Sequence, residues 1–183
     1  MLEAVAAHVG WESRVGPSGR GAGVSVARYK DTKGYGAVVA EVAVDPEHGS
    51  IRVERITIAC DVGTVVNADG LRNQLEGGVL QGLSRTMHER LTPDGTTVVE
   101  QDWTSYGTLR FRDVPHVEVV LLDRPGAPPL GAGEVATPLV PAAIANAVDD
   151  AVGIRMRELP IGSQALQQRL LEMGEEEAQR VLV

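Results

Sequence analysis

Two alternating runs separated by a short polar turn constrain the fold of this chain more than any other feature. In Ala37 to Asp45 (AVVAEVAVD), the residues Val38, Ala40, Val42 and Val44 alternate with a mixed face carrying Glu41 and Asp45, the period of a half-buried strand. The turn DPEHGS follows, and Ile51 to Cys60 (IRVERITIAC) returns as an antiparallel partner. Its apolar phase is Ile51 and Val53, then Ile56, Ile58 and Cys60, so it changes at Glu54 and Arg55. A one-residue slip would turn every later side chain to the wrong face, and a bulge at that point is the simplest repair.

Other elements surround this hairpin. The N-terminal MLEAVAAHVGWESR reads as an amphipathic helix rather than a secretory leader, because it lacks a basic region followed by an uninterrupted apolar stretch. Gly16 to Gly23 (GPSGRGAG) reads as a glycine turn between lobes, followed by a strand over Val24 to Tyr29. Because these glycines precede a strand instead of following one and opening a helix, a dinucleotide phosphate loop is discounted. Further strands are expected at Thr97 to Trp103 and His116 to Leu122, and helices at Leu71 to His88, Leu139 to Val152 and Ser163 to Val183. The class is therefore α+β, with a mostly antiparallel sheet and packed helices. Residues 1–162 are expected to form one domain or two small lobes, and 163–183 a polar helical tail carrying Glu175 to Glu177.

Composition removes several function classes. The net charge is −8 with few aromatic residues and no basic stripe, which opposes nucleic-acid binding. No apolar run approaches the length of a membrane span, so the expectation is a cytoplasmic location by default, with export only if a partner carries the chain. Cys60 is the only cysteine, so no internal disulfide is possible and no iron–sulfur cluster can be held on cysteines of this chain. The histidines at positions 8, 48, 88 and 116 lack metal-ligand spacing, and no metal ligand is expected.

The helix at Leu71 to His88 has an apolar stripe at Leu71, Leu75, Val79 and Leu83 but also contains Gly77, Gly78 and Gly82. Each interior glycine costs about 1 kcal/mol relative to alanine, so something must approach this backbone closely. A second stripe, Gln74, Gly78, Gln81 and Arg85, faces either a packed neighbouring helix or a ligand. Downstream, Glu134 follows the glycine loop Gly131-Ala132-Gly133 and precedes an apolar helix. Glycines there permit close approach, and a carboxylate can act as a proton acceptor; a capping or surface glutamate is the other reading of the same residues.

Three phrases occur in order: CDVGTVVNADGLRNQLEGGVLQGLS (Cys60 to Ser84), YGTLRFRDVPHVEV (Tyr106 to Val119) and PPLGAGEVATPLVPAAIANAV (Pro128 to Val148). Together they resemble the C-terminal molybdopterin-binding region of the aldehyde oxidase and xanthine dehydrogenase family, nearest in wording to the isoquinoline 1-oxidoreductase beta-subunit type. The resemblance runs from about Trp11 to Ile161. It implies a molybdenum-cofactor-binding domain, with Glu134 as the general base at the molybdenum centre. It implies cofactor contacts at Gln74, Gly77, Gly78 and Gln81 and at the loop glycines Gly131 and Gly133.

The implied activity is oxidation of an aldehyde or N-heterocycle with water-derived oxygen. The implied cofactor is molybdenum-pterin, as molybdopterin or its cytosine dinucleotide form, shared with a partner chain. Full-length members of the family are several times longer, so the expected partners are the remaining molybdopterin-binding region, a small subunit with two [2Fe-2S] clusters, and a flavin or cytochrome electron acceptor. Iron–sulfur clusters would reside only in partner subunits, and the isolated chain is expected to be inactive. The competing expectation is a cofactor-free interaction module that completes another molybdopterin-binding subunit.

Overall fold

The computed structural model describes residues 1–11 and 18–181, with the backbone alone over 174–181. The elements in chain order are α1 (Leu2–Val9), β1 (Arg20–Arg28), β2 (Tyr35–Asp45), β3 (Ser50–Asp61), α2 (Ala68–Met87), β4 (Pro93–Asp94), β5 (Thr97–Val98), a 3-10 turn (Phe111–Asp113), β6 (His116–Leu122), α3 (Val140–Val152) and α4 (Ser163–Val181). Four strands form one sheet in the order β1-β2-β3-β6. The first two pairings are antiparallel and β3 with β6 is parallel, as expected for an α+β chain whose last strand returns by a long crossover through α2.

The central hairpin is as the alternation predicts. Glu41 pairs with Arg55 and Val42 with Val53, so Glu54 is the extra residue of a bulge. Val53 before it and Ile56, Ile58 and Cys60 after it thereby reach the same core as Val38, Ala40, Val42 and Val44. Helices α2 and α3 supply Leu75, Val79, Leu83, Ile144 and Val148 to that core. Cys60 is buried there, and burial pushes its thiol up to about 12, which leaves it an inert apolar side chain.

The expected glycine turn at residues 16–23 is corrected in part: residues 16 and 17 lie outside the described residues, while Gly21 and Gly23 are inside β1. The reason is packing. A Cβ on Gly21 would lie 2.0 Å from the Ala147 carbonyl oxygen, and one on Gly23 would lie 2.1 Å from that of Ala143. The strand can lie directly on α3 only because both sides are small, glycines two apart on β1 facing Ala143, Ala147 and Ala151 four apart on α3. Side chains of α3 also serve the edge of β1: Asp150 accepts from the Ala22 N–H at 2.9 Å and the Asn146 amide donates to the Val24 carbonyl at 2.8 Å. The outer edge of the sheet is thus covered.

The expected strand at Thr97 to Trp103 is also corrected. Only Thr97–Val98 is extended, paired with Pro93–Asp94 in a ribbon apart from the main sheet. The run ends at Asp102, whose carboxylate accepts from the Thr104 and Ser105 N–H groups at 2.9 and 2.8 Å, a local turn that competes with any ladder. In the first turns of α4, Leu166 is fully buried in the main core; the side chains of Glu175 to Glu177 lie outside those described.

The other sheet face is covered by α1, whose Val5 packs on Ala37, Val39 and Ala59. His8 on α1 meets Glu118 on β6 at 2.9 Å, and His116 meets the second oxygen of the same carboxylate at 2.9 Å. Arg55, itself paired with Glu41, lies 3.4 Å from Glu118. The His8 hydrogen bond, against a smaller opposing effect of burial, holds the Glu118 carboxyl below its ordinary value, with His116 and Arg55 adding to the shift. A carboxyl lowered in the folded state contributes stability above the unfolded value, and that contribution is lost as pH falls through the folded one. Glu118→Gln is therefore expected to lower the midpoint of thermal unfolding by roughly 2 °C at pH 7 and to match wild type near the acid end of the carboxylate range. A pH series of thermal melts checks this; an equal deficit at every pH would remove the ionic account.

Candidate functional site

The turn carrying Glu134 is built from pieces distant in sequence. Leu130 donates its N–H to Val62 at 2.8 Å, attaching the Pro128–Gly131 run to the loop after β3. That loop is braced by Asp61, which pairs with Arg124 at 2.8 Å and accepts from the Gly63 N–H. On the other side, the β1–β2 turn donates the Gly34 N–H to Gly131 at 3.0 Å and lays the Lys33 stem against Gly131. From α2, the Gln74 side chain donates to the Gly133 carbonyl at 2.7 Å. Glu134 is exposed, and one oxygen of its carboxylate accepts from the Tyr29 hydroxyl.

The helix expected from Leu139 is borne out to within one residue, with Leu139 as its N-cap. Helix α3 begins only at Val140, and Val135 to Leu139 form turns closed by Leu139 N–H to Ala136 at 3.1 Å. Pro138 disfavours helical backbone at the residue before it, while Pro141 suits the first turn of α3. The first helical N–H groups thus lie several residues along the chain from Glu134. Val135, Ala136 and Leu139 are instead buried, anchoring the turn from below; Gly36 on β2 leaves the room, since a Cβ there would lie 2.6 Å from Leu139.

Helix α2 begins three residues earlier than its apolar spacing predicts because Asn67 caps it, accepting from the Gly70 N–H at 2.9 Å. Its glycines have two uses. Gly78 and Gly82 are buried: a Cβ on Gly78 would lie 3.0 Å from that of Ala136, and one on Gly82 would lie 2.9 Å from the Thr137 carbonyl oxygen. These two admit the segment leading into α3. Gly77 is exposed, with nothing within 4 Å of an added Cβ. Gln74 and Gln81 are also exposed, and Gly133 is open in the same sense as Gly77, whereas a Cβ on the equally exposed Gly131 would lie 3.1 Å from the Lys33 stem. The structure therefore joins Gln74 to the Gly131–Glu134 turn and leaves Gln81 one helical turn from Gly77 along α2. Sequence reasoning missed Tyr29 and Lys33, which reach the turn across roughly a hundred residues and leave no local signal.

The structure thus joins a glycine-broken helix, through the Gln74 amide, to an exposed glycine–glutamate turn on a mixed sheet. A family model described as the molybdopterin cofactor-binding domain matches residues 5–115. The chain belongs to that family, within the xanthine dehydrogenase and aldehyde oxidase type. It is 42% identical over 157 residues to a nicotinate dehydrogenase chain of Pseudomonas putida, covering 82% of this chain and 13% of the relative. It is 29% identical over 161 residues to the isoquinoline 1-oxidoreductase beta chain of Brevundimonas diminuta, covering 88% of this chain and 20% of the relative. Among solved structures, quinoline 2-oxidoreductase from Pseudomonas putida 86 superposes with a TM-score of 0.70 at 26% identity, over 76% of this chain and 19% of that one. The chain thus spans a fifth or less of these proteins. No helix among the described residues is long and apolar enough to cross a membrane.

Proposed function

We propose that this chain is the part of a molybdenum hydroxylase that carries the catalytic base, acting on an aldehyde or N-heterocyclic substrate with water-derived oxygen. The observation that carries the proposal is the exposed Glu134 carboxylate on a turn gripped from three sides and tied by Gln74 to the open face of α2. The names of the relatives, nicotinate and isoquinoline oxidoreductases among them, support the substrate class.

The residues present fit a pterin cofactor. Open peptide groups at Gly77 and Gly133, where an added Cβ meets nothing, allow a planar group to lie against the backbone. Exposed amides at Gln74 and Gln81 can donate to and accept from a polar pterin edge. Gly78 acts behind that surface, letting Ala136 approach, and the exposed Gly131 lets the Lys33 stem lie beside the turn. When bound, the molybdenum-pterin group, as molybdopterin or its cytosine dinucleotide, supplies the redox chemistry that side chains lack. Glu134 would take, at its free carboxylate oxygen, the proton lost from the water-derived oxygen, while the hydrogen and two electrons leaving the substrate carbon would be taken up by that group. Gln74 keeps the base turn and the cofactor face in one register by bridging α2 to Gly133.

The reading includes partners: the rest of the molybdopterin-binding subunit, a small subunit with two [2Fe-2S] clusters to receive electrons, and a flavin or cytochrome acceptor beyond it. Phe111 is 96% exposed and Trp103 is 79% exposed, apolar surface that suits burial against such a neighbour. The isolated chain is expected to show no turnover.

Gly77→Leu tests the cofactor face. The side chain would enter open space, so folding and subunit assembly should persist while molybdenum and pterin content per assembled complex falls several-fold. Metal analysis of the purified complex reads this directly. Full molybdenum content in the variant would favour an interaction module whose α2 face touches no cofactor.

A further inference from the structure

We propose that Tyr29 is the positioning residue for Glu134, holding one carboxylate oxygen so that the other is presented to the reaction. This rests on the reading of Glu134 as the base. Glu134 is exposed on a turn, has no cationic partner among the described residues, and carries a side chain with several free torsions. Its side-chain hydrogen bond comes from the Tyr29 hydroxyl, which lies beyond the end of β1. A phenol has a single proton to give, so Oε2 is engaged and Oε1 is left to accept.

Tyr29 is itself held. Its ring is partly buried against the main core, and its backbone closes the β1–β2 turn, donating to Gly34 at 3.1 Å and accepting from Lys33 at 3.0 Å. The Lys30 ammonium lies 5.1 Å from the ring centroid. The turn is also strained: Lys30 and Asp31 have φ of 49° and 50°, a left-handed backbone that non-glycine residues seldom adopt in succession. Ordinary hairpins put glycine or asparagine at such positions, so the shape of this turn is maintained against local preference. Its product is contact with the base turn at three points: Gly34 on Gly131, the Lys33 stem on Gly131, and Tyr29 on Glu134. Only the last touches the carboxylate.

The test is Tyr29→Phe in the assembled enzyme, which keeps the ring and removes the donor. Molybdenum content should be unchanged, the limiting rate of substrate-driven reduction should fall about 10-fold, and the substrate concentration at half-saturation should stay the same, as for loss of one hydrogen bond to a charged group. In complex prepared without cofactor, amide exchange in the peptide spanning 131–135 should rise by a similar factor, a readout independent of turnover. In a Glu134→Gln background Tyr29→Phe should have no further effect on the rate, because its only route is through the carboxylate. A slowed Glu134→Gln together with Tyr29→Phe that reduces within two-fold of wild type overturns the assignment of Tyr29 alone. Additive losses in the double variant do the same. Unchanged reduction in Glu134→Gln overturns the base itself, and the positioning role with it.

Discussion

Glu134→Gln in the assembled enzyme is expected to slow substrate-driven reduction by about 10² to 10⁴, the usual worth of a general base. Glutamine keeps the size of the side chain and can still accept from the Tyr29 hydroxyl through its amide oxygen. It removes only the capacity to take a proton at the rate-determining moment. Cofactor content and thermal stability should hardly change, because the carboxylate is exposed and the turn beneath it is held by Val135, Ala136 and Leu139 together with the Gln74 bridge. Stopped-flow reduction normalised to molybdenum content is the measurement. A variant within a few-fold of wild type would show that the base is another group and that the family role does not carry to this chain.

Gly23→Ala is expected to be strongly destabilising. Its Cβ would fall 2.1 Å from the Ala143 carbonyl oxygen and 2.2 Å from the Ala147 nitrogen, both backbone atoms of α3 that cannot rotate aside. Relief requires lifting α3 from β1, which also stretches the Asn146 and Asp150 bonds to the strand edge. Overpacking of this kind costs about 3 kcal/mol or more, a fall of roughly 6–12 °C in the unfolding midpoint for a domain of this size. Gly77→Ala makes the opposite control: in an open helical position it should stabilise by up to about 1 kcal/mol. Thermal and urea unfolding of both variants checks the pair. Equal stabilities would mean that β1 and α3 do not pack backbone to backbone.

These two glycines illustrate how legible the molecule was. The cost of glycine in a helix signalled close approach along α2, but it did not say to what. Gly78 and Gly82 turned out to admit Ala136, Thr137 and Val140, while Gly77 stayed open. In β1 the same residue type looked like a turn, because glycine tolerates both a turn and an intimate strand–helix contact and only the neighbour distinguishes them. The strand expected at Thr97 to Trp103 was cut short for a related reason: its β-prone residues found only a two-residue partner apart from the main sheet, and Asp102 offered a local alternative.

What the sequence determined by itself is whatever repeats locally. The alternation of β2 and β3, the bulge at Glu54, the apolar stripe of α2, the Pro141 start and Gly153 stop of α3, and the family phrases all rest on period or adjacency, which a linear string preserves. What only the tertiary structure decided is everything that joins distant segments: Tyr29 on Glu134, Gln74 on Gly133, and the glycine seat of α3 on β1. Those contacts depend on directional bonds and close packing over a few ångströms between residues dozens of positions apart, and no periodicity in the chain encodes which such pairs will meet.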